Sequence, residues 1–327
     1  MNTHPYEALT PDTVIDAVES AGFLSDARIL ALNSYENRVY QVGLEEGAPL
    51  IAKFYRPGRW SDAQILEEHR FTQFLFDLDI PVVPPMLIND KTLHEHGGFR
   101  FTLYLRQGGR APELDNFDHL EQLGQFIGRI HQAGESFVFE HRISLTVEGY
   151  GHASVAYLLE HDFIPADLRT PYEAVTRDIL AMLEQCKLDS YRAISLHGDC
   201  HAGNVLWRDD RPHFVDFDDA LTGPAMQDLW MLLSGDIENR QRQLGTIFEG
   251  YETFARFDAR ELALVEPLRA LRLLHYNAWL ARRWDDPAFP RSFPWFNSAR
   301  YWSDHILELK ETHSALHERP LAMPGRF

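Results

Sequence analysis

The chain has 327 residues, 45 % of them hydrophobic and 24 % charged. It exceeds the roughly 250 residues at which single cores stop growing, so two domains or lobes are expected, and the composition excludes a disordered or collagen-like chain. Against 49 Asp and Glu stand 31 Lys and Arg; the net charge of −18 argues against nucleic acid, but admits a phosphate-bearing small molecule if a divalent cation screens the carboxylates. The two cysteines, Cys186 and Cys200, form neither a disulfide framework nor a CxxC site, and there is no basic-then-apolar leader and no long apolar run. A cytoplasmic chain without membrane association is the expectation.

Thr10-Pro11-Asp12 reads as an N-cap, a first-turn proline and a first-turn acid, opening a helix with Val14, Ile15, Ala17 and Val18 that stops at Gly22. β-Branched, alternating stretches at 29–32, 39–42 and 50–55, split by Glu45-Glu46-Gly47-Ala48-Pro49, predict three strands. Ser61-Asp62 caps a second helix carrying Ile65, Leu66, Phe71, Phe74, Leu75 and Leu78, and strand-like Met86-Leu87-Ile88 and Phe99 to Leu105 follow Pro81. Gln107 to Pro112 is an irregular segment, beyond which 117–133, 170–187, 225–234, 238–255, 259–283 and 298–316 have helical periodicity. The expected architecture is α+β, with a small β-rich lobe at 1–105 and a large, mostly helical lobe at 106–327.

Within the second lobe, one non-helical island holds Ser195-Leu196-His197-Gly198-Asp199-Cys200-His201-Ala202-Gly203-Asn204, then Val215-Asp216-Phe217-Asp218-Asp219. The Asp199-to-Asn204 offset is that of the H-R-D-x-x-x-x-N loop of protein kinases, where the aspartate accepts a hydroxyl proton and the asparagine ligates Mg²⁺. Asp216, at the end of a short strand, suits the same oxygen-seeking metal. Two further parts are then required of the first lobe, a strand lysine for the phosphates and a helix glutamate to hold it. Lys53 lies inside apolar Leu50-Ile51-Ala52-Lys53-Phe54, where its charge needs a partner. The next helix offers Glu67 and Glu68, and the phase of Phe71 and Leu75 favours Glu68.

These motifs resemble the aminoglycoside phosphotransferase and choline kinase superfamily, whose H-G-D-x-H-x-x-N signature is similar to His197 through Asn204. Leu32 to Tyr40, Lys53 to Pro57, Gln64 to His69, Gly223 to Trp230 and Asp286 to Pro290 resemble the bacterial stress response kinase A (RdoA-type) family. The resemblance implies a bilobal protein-kinase-like fold and a cytoplasmic, monomeric, ATP- and Mg²⁺-dependent enzyme. It would phosphorylate serine and threonine of protein substrates in a stress response. It further implies Asp199 as proton acceptor, Asn204 and Asp216 as metal ligands, and Lys53 and Glu68 as a phosphate-positioning ion pair. Ser34 would lie in the loop over the ATP phosphates, and the strand bearing Leu103 and Leu105 would lead to the adenine. No GxGxxG precedes Lys53, so phosphate contacts are expected from Ser34, Asn37 and backbone N–H groups.

Bland alternatives accompany each of these. His197 and His201 bracket Asp199 but lack a zinc-enzyme HExxH, and His197 is expected to orient the loop. Asp218 and Asp219 fit either a supporting layer around the metal or a solvated turn, and Asp228 an N-cap that also braces the loop. Cys200 fits as a small residue or a redox-sensing thiol, and Trp279, Trp284, Phe289, Phe293, Trp295 and Phe296 fit packing better than a cation cage. Two rival functions stand beside the protein kinase: a kinase for a small hydroxyl-bearing metabolite (choline, homoserine or an aminoglycoside) and a nucleotide-binding regulator without catalysis.

Overall fold

The computed structural model describes residues 4–322. Helix α1 (Pro11–Ser20) starts where the Thr10 hydroxyl accepts the Thr13 N–H. Strands β1 (Ser25–Ala31), β2 (Arg38–Leu44) and β3 (Leu50–Phe54) lead to α2 (Asp62–Asp77), then β4 (His94–His96) and β5 (Phe99–Leu105). They form one antiparallel sheet in the order β1-β2-β3-β5-β4. Val14, Ala17 and Val18 of α1 close one face, packing with Val42, Ala52, Phe54, Phe101 and Leu103. Lys53, paired with Val39 and Thr102, has the opposite parity to Ala52 and Leu103 and so stands on the other face.

A capping box between Ser61 and Gln64 fixes the start of α2. Its Phe71 and Leu75 enter the core of the second lobe beside Phe139 and Phe217, so this helix belongs mechanically to both lobes.

The predicted strand at Met86–Ile88 is not formed. The Met86 N–H bonds to Leu103 O at 2.8 Å, and Ile88 bridges only to Lys91 across a turn. Pro84 and Pro85 remove donors just before it, left-handed Asn89 and Asp90 reverse the chain, and β4 takes the sheet edge instead.

The second lobe runs α3 (Phe117–Gly134), α4 (Ala153–Glu160), α5 (Ala166–Gln185), β6 (Ile194–Leu196), β7 (Val205–Arg208), β8 (Arg211–Phe214), β9 (Leu221–Gly223), α6 (Met226–Leu229), α7 (Ile237–Tyr251), α8 (Val265–Ala281), α9 (Ala288–Ser292) and α10 (Ala299–Ala315). Helix α4, preceded by Gly149 and Gly151, has no counterpart in the sequence expectations. Helices α3 and α7 cross so closely that a Cβ on Gly124 would lie 2.0 Å from Ile247 O, and one on Gly250 2.0 Å from Glu121 O. The bilobal, protein-kinase-like α+β architecture is therefore present. Strand β6 pairs with β9, and β7 with β8, beneath the sheet of the first lobe. The connector after β5 is stitched to β7 through Arg110 and Trp207, each donating its N–H to the other's carbonyl at 3.2 and 2.6 Å.

Candidate active site

Asp199 stands on a loop whose backbone is held from below. The buried Asp228 carboxylate accepts the His197 N–H at 2.9 Å and the Gly198 N–H at 2.8 Å, and meets His131 Nε2 at 3.2 Å. Gln227 Nε2 donates to Gly198 O at 2.9 Å. Asp228 is thus a brace and not an N-cap, because it lies inside α6, whose N-cap position is Ala225. His197 is fully buried with Nε2 3.0 Å from Val215 O, which ties the loop to the chain entering Asp216 and makes the ring an orienting group. Cys200 is also buried, and burial pushes its thiol well up, so it is a poorly reactive packing residue and not a redox sensor.

The Asp199 carboxylate receives Arg272 Nη1 at 2.5 Å and lies 3.5 Å from His201 Nε2. Burial works to raise its pKa, but His201 and Arg272 outweigh it and hold the carboxyl well below the usual range. His201 Nδ1 accepts the Gly203 N–H at 2.9 Å, so the nitrogen turned to Asp199 carries a proton. Asn204 donates its Nδ2 to Asp199 O at 2.9 Å, which leaves the amide oxygen as the acceptor end of that side chain.

Asn204 and Asp216 are neighbours through the β7–β8 hairpin, since Val215 N–H bonds to Asn204 O at 3.0 Å. Asp216 adopts a left-handed conformation (φ 61°, ψ 62°), and its carboxylate is half exposed. Two hard oxygen donors with room for water and phosphate fit Mg²⁺. Among the described residues no three His, Cys, Asp or Glu side chains cluster as a metal site of their own.

Lys53 reaches this floor from the sheet. Its buried ammonium lies 2.9 Å from Asp216 Oδ1 and 3.2 Å from Asp218 Oδ1. Burial would lower its pKa, but Asp216 and Asp218 reverse the shift and keep the charge. The expected ion pair with Glu68 is not formed. The Glu68 carboxylate, pushed up to about 7 by burial, is instead 3.3 Å from the Thr72 hydroxyl and 3.6 Å from His69 Nε2. Two carboxylates in contact with the ammonium outcompete a third that burial holds near half-protonation at neutral pH. Glu67 has a separate duty: its carboxylate accepts the backbone N–H groups of Glu140, His141 and Arg142 at 2.6 to 2.8 Å, clamping α2 to the second lobe.

Two further expectations need correction, and one open choice is decided. Asn37 is buried and occupied at both ends, its Oδ1 taking the Arg56 N–H at 3.1 Å and its amide bonded to the Asp218 carboxylate; it therefore fixes Asp218 and does not reach for a phosphate. Leu103 packs against α1 on the face away from Lys53, and Leu105, of the same parity, is 65 % exposed at the strand end, so Ile51 and Tyr104 occupy the Lys53 face in their place. Of the two readings open for Asp218, the solvated turn is excluded, because the residue is buried between Lys53 and Arg59.

Ser34 sits half-buried in the β1–β2 loop, which the second lobe holds down. Glu36 bonds to Trp279 Nε1 and Arg283 Nε at 2.6 Å each, while Asp286 receives Arg38 at 2.8 Å and Arg56 at 2.9 Å. Sequence reasoning missed this network and Arg272, because the partners lie far apart along the chain. The aromatic group is packing: Phe289, Phe293 and Phe296 are buried in the second-lobe core, with Trp279 and Trp284 against it.

Comparisons with known proteins show the family and the fold. A family model described as "Phosphotransferase enzyme family" matches residues 28–265. The stress response kinase A of Escherichia coli (strain K12) is 44 % identical over 322 residues, 98 % of each chain. The serine/threonine protein kinase RdoA of Salmonella typhimurium is 42 % identical over 326 residues, 100 % of this chain and 99 % of that one. Among solved structures, an amicoumacin kinase in complex with AMP-PNP, Ca²⁺ and Ami aligns with a TM-score of 0.72 at 21 % identity, covering 93 % of both chains. A microcompartment-associated aminopropanol kinase aligns at 0.70 and 17 %, covering 93 % of this chain and 98 % of that one; both likenesses speak for the fold alone. With its braced Asp199 loop and its matches along nearly the whole length, the chain belongs to the phosphotransferase enzyme family and, within it, to the stress response kinase A family of kinases.

Proposed function

We propose that this chain is an ATP- and Mg²⁺-dependent kinase that transfers the γ-phosphoryl group to serine and threonine hydroxyls of proteins in a cytoplasmic stress response. The observation that carries the reading is the contact of Lys53 Nζ, from the first-lobe sheet, with Asp216 Oδ1 at 2.9 Å, next to the Asn204 amide that also holds the Asp199 loop. The 42–44 % identical relatives, named as stress response and serine/threonine protein kinases, support a protein acceptor.

In this reading Asn204 and Asp216 hold the metal, which when bound neutralises phosphate charge. Lys53 fixes the phosphates, and Asp199 orients the acceptor hydroxyl and accepts its proton as the new P–O bond forms. A weak base suffices, because a loose phosphoryl transition state asks for proton acceptance only late. Glu68 lies close enough to Lys53 to act on its charge, and Ser34, in the β1–β2 loop, would lie over the phosphates.

The test is incubation of the pure chain with labelled ATP and Mg²⁺, alone, with a protein mixture, and with a panel of alcohols and amino alcohols. Label on protein seryl and threonyl groups, abolished in Asp199→Ala, is the expected result. Turnover of one metabolite without protein labelling, or undiminished transfer by Asp199→Ala, refutes it.

A further inference from the structure

The acceptor hydroxyl must approach Asp199, so whatever lines that approach selects the acceptor. A stripe of α8 and the turn after it starts beside Asp199: Arg272, Tyr276, Trp279 and Arg283 recur at helical spacing. At one end Arg272 Nη1 touches Asp199 Oδ1 at 2.5 Å; at the other, Trp279 and Arg283 hold Glu36 of the β1–β2 loop. Tyr276 stacks on Trp279 with centroids 5.8 Å apart. The stripe therefore spans the distance from the proposed base to the loop over the phosphates.

Its charge is opposite to that of the chain as a whole. Arg283 is spent on Glu36, but the Arg272 side chain is 43 % exposed beside Asp199 and, among the described residues, has no second carboxylate partner. His275, half-buried on the same helix, is held down to about 3 first by desolvation and then by nearby arginines, Arg272 among them. Of the other carboxylates in this lobe, Asp219 is engaged by Arg59 and Glu266 by Arg240. An ammonium-bearing amino alcohol entering here meets like charge, whereas a pair of anionic oxygens matches the guanidinium fork.

We infer that Arg272 is the acceptor-selecting residue, and that the preferred acceptor carries an anionic group, a carboxylate or a phosphate, beside its hydroxyl. Taking up that group draws Arg272 away from Asp199 Oδ1 and frees this oxygen for the hydroxyl. The inference rests on the protein-kinase reading and names its substrate class: serine or threonine flanked by acidic or already phosphorylated residues.

The experiment uses the full chain loaded with AMP-PNP and Mg²⁺. Fluorescent peptides with one serine, flanked by glutamate, phosphoserine, alanine or lysine, are titrated by anisotropy, and transfer from ATP is then measured on the same set. Wild type is expected to bind the glutamate or phosphoserine peptides at least ten-fold more tightly than the lysine peptide. Arg272→Gln should bring all four within about three-fold, Arg272→Lys should restore part of the preference, and Arg272→Glu should reverse it; thermal melts confirm that the variants fold. Preference for phosphoserine alone, or for both anionic peptides, distinguishes a phosphate from a general anion. A wild-type preference for lysine, the same ranking in Arg272→Gln, or no binding to any peptide overturns the inference. Charge-selective binding without transfer would instead defeat the protein-acceptor reading and leave the charge rule standing.

Discussion

Removing the Asp228 carboxylate should loosen the catalytic loop without touching it. In Asp228→Ala the His197 and Gly198 N–H groups, bonded at 2.9 and 2.8 Å, lose their acceptor, and His131 loses a partner at 3.2 Å, all inside the protein. Each buried donor left unmet costs about 1–3 kcal/mol, so the sum for the three is about 3–9 kcal/mol, a large part of the ~5–15 kcal/mol that usually holds a fold. Asp228→Asn should rescue at most half of this. Its one amide oxygen can serve His197 or Gly198, and its NH₂ then faces the other N–H. Urea unfolding followed by tryptophan fluorescence measures the loss, and at about 2–4 °C per kcal/mol for a lobe of this size the melting point should fall by roughly 6–36 °C in the alanine variant. Phosphoryl transfer should fall further than stability explains when assayed well below the melt. An alanine variant within 1 kcal/mol of wild type, or an asparagine variant indistinguishable from it, refutes the brace.

Lys53→Met should cost less stability than a typical broken buried ion pair, about 2–3 instead of ~3–5 kcal/mol, because Asp218 keeps Arg59 and Asn37 and only half-exposed Asp216 is stranded. Transfer should drop at least 100-fold, and a variant within ten-fold of wild type contradicts the assignment. Glu261, which accepts the Met226 N–H at 2.8 Å and so anchors the helix bearing Asp228, is pushed up by burial from 4.5 to about 7. The folded state then holds this proton more tightly than the unfolded one, and the associated stability is full below pH 4.5 and lost as pH climbs to 7. Between pH 4.5 and 8, Glu261→Gln should gain about 3 kcal/mol relative to wild type, read from paired urea titrations; parallel pH curves for the two proteins would contradict it.

Local chemistry made the framework legible. An apolar strand interrupted by Lys53, a Ser61 cap, and the Asp199-to-Asn204 spacing each carry their cause within a few residues, and each element forms where expected. What failed depends on pairing between distant segments. Whether Leu103 or Tyr104 faces the cleft follows from the Lys53–Thr102 register, and register is set by a strand nearly fifty residues away. The choice between Glu67 and Glu68 is similar: helix phase buries both, and only the backbone of 140–142 shows that one is a clamp. The partners of Lys53 were misjudged because the sequence left Asp218 open between a support of the metal site and a solvated turn, when its burial depends on Arg59 arriving from the first lobe. Arg272 gave no signal at all, since an arginine on an amphipathic helix is the commonest of surface features.

The left-handed backbone at Asp216 restricts which experiments and which evolutionary steps are clean there. Only glycine, asparagine and aspartate adopt φ near +60° without a penalty of about 1–2 kcal/mol, so an asparagine isolates the loss of negative charge, whereas alanine or glutamate adds torsional strain to it. Neutral drift at this position is accordingly confined to a three-letter alphabet, of which one member retains an anionic oxygen.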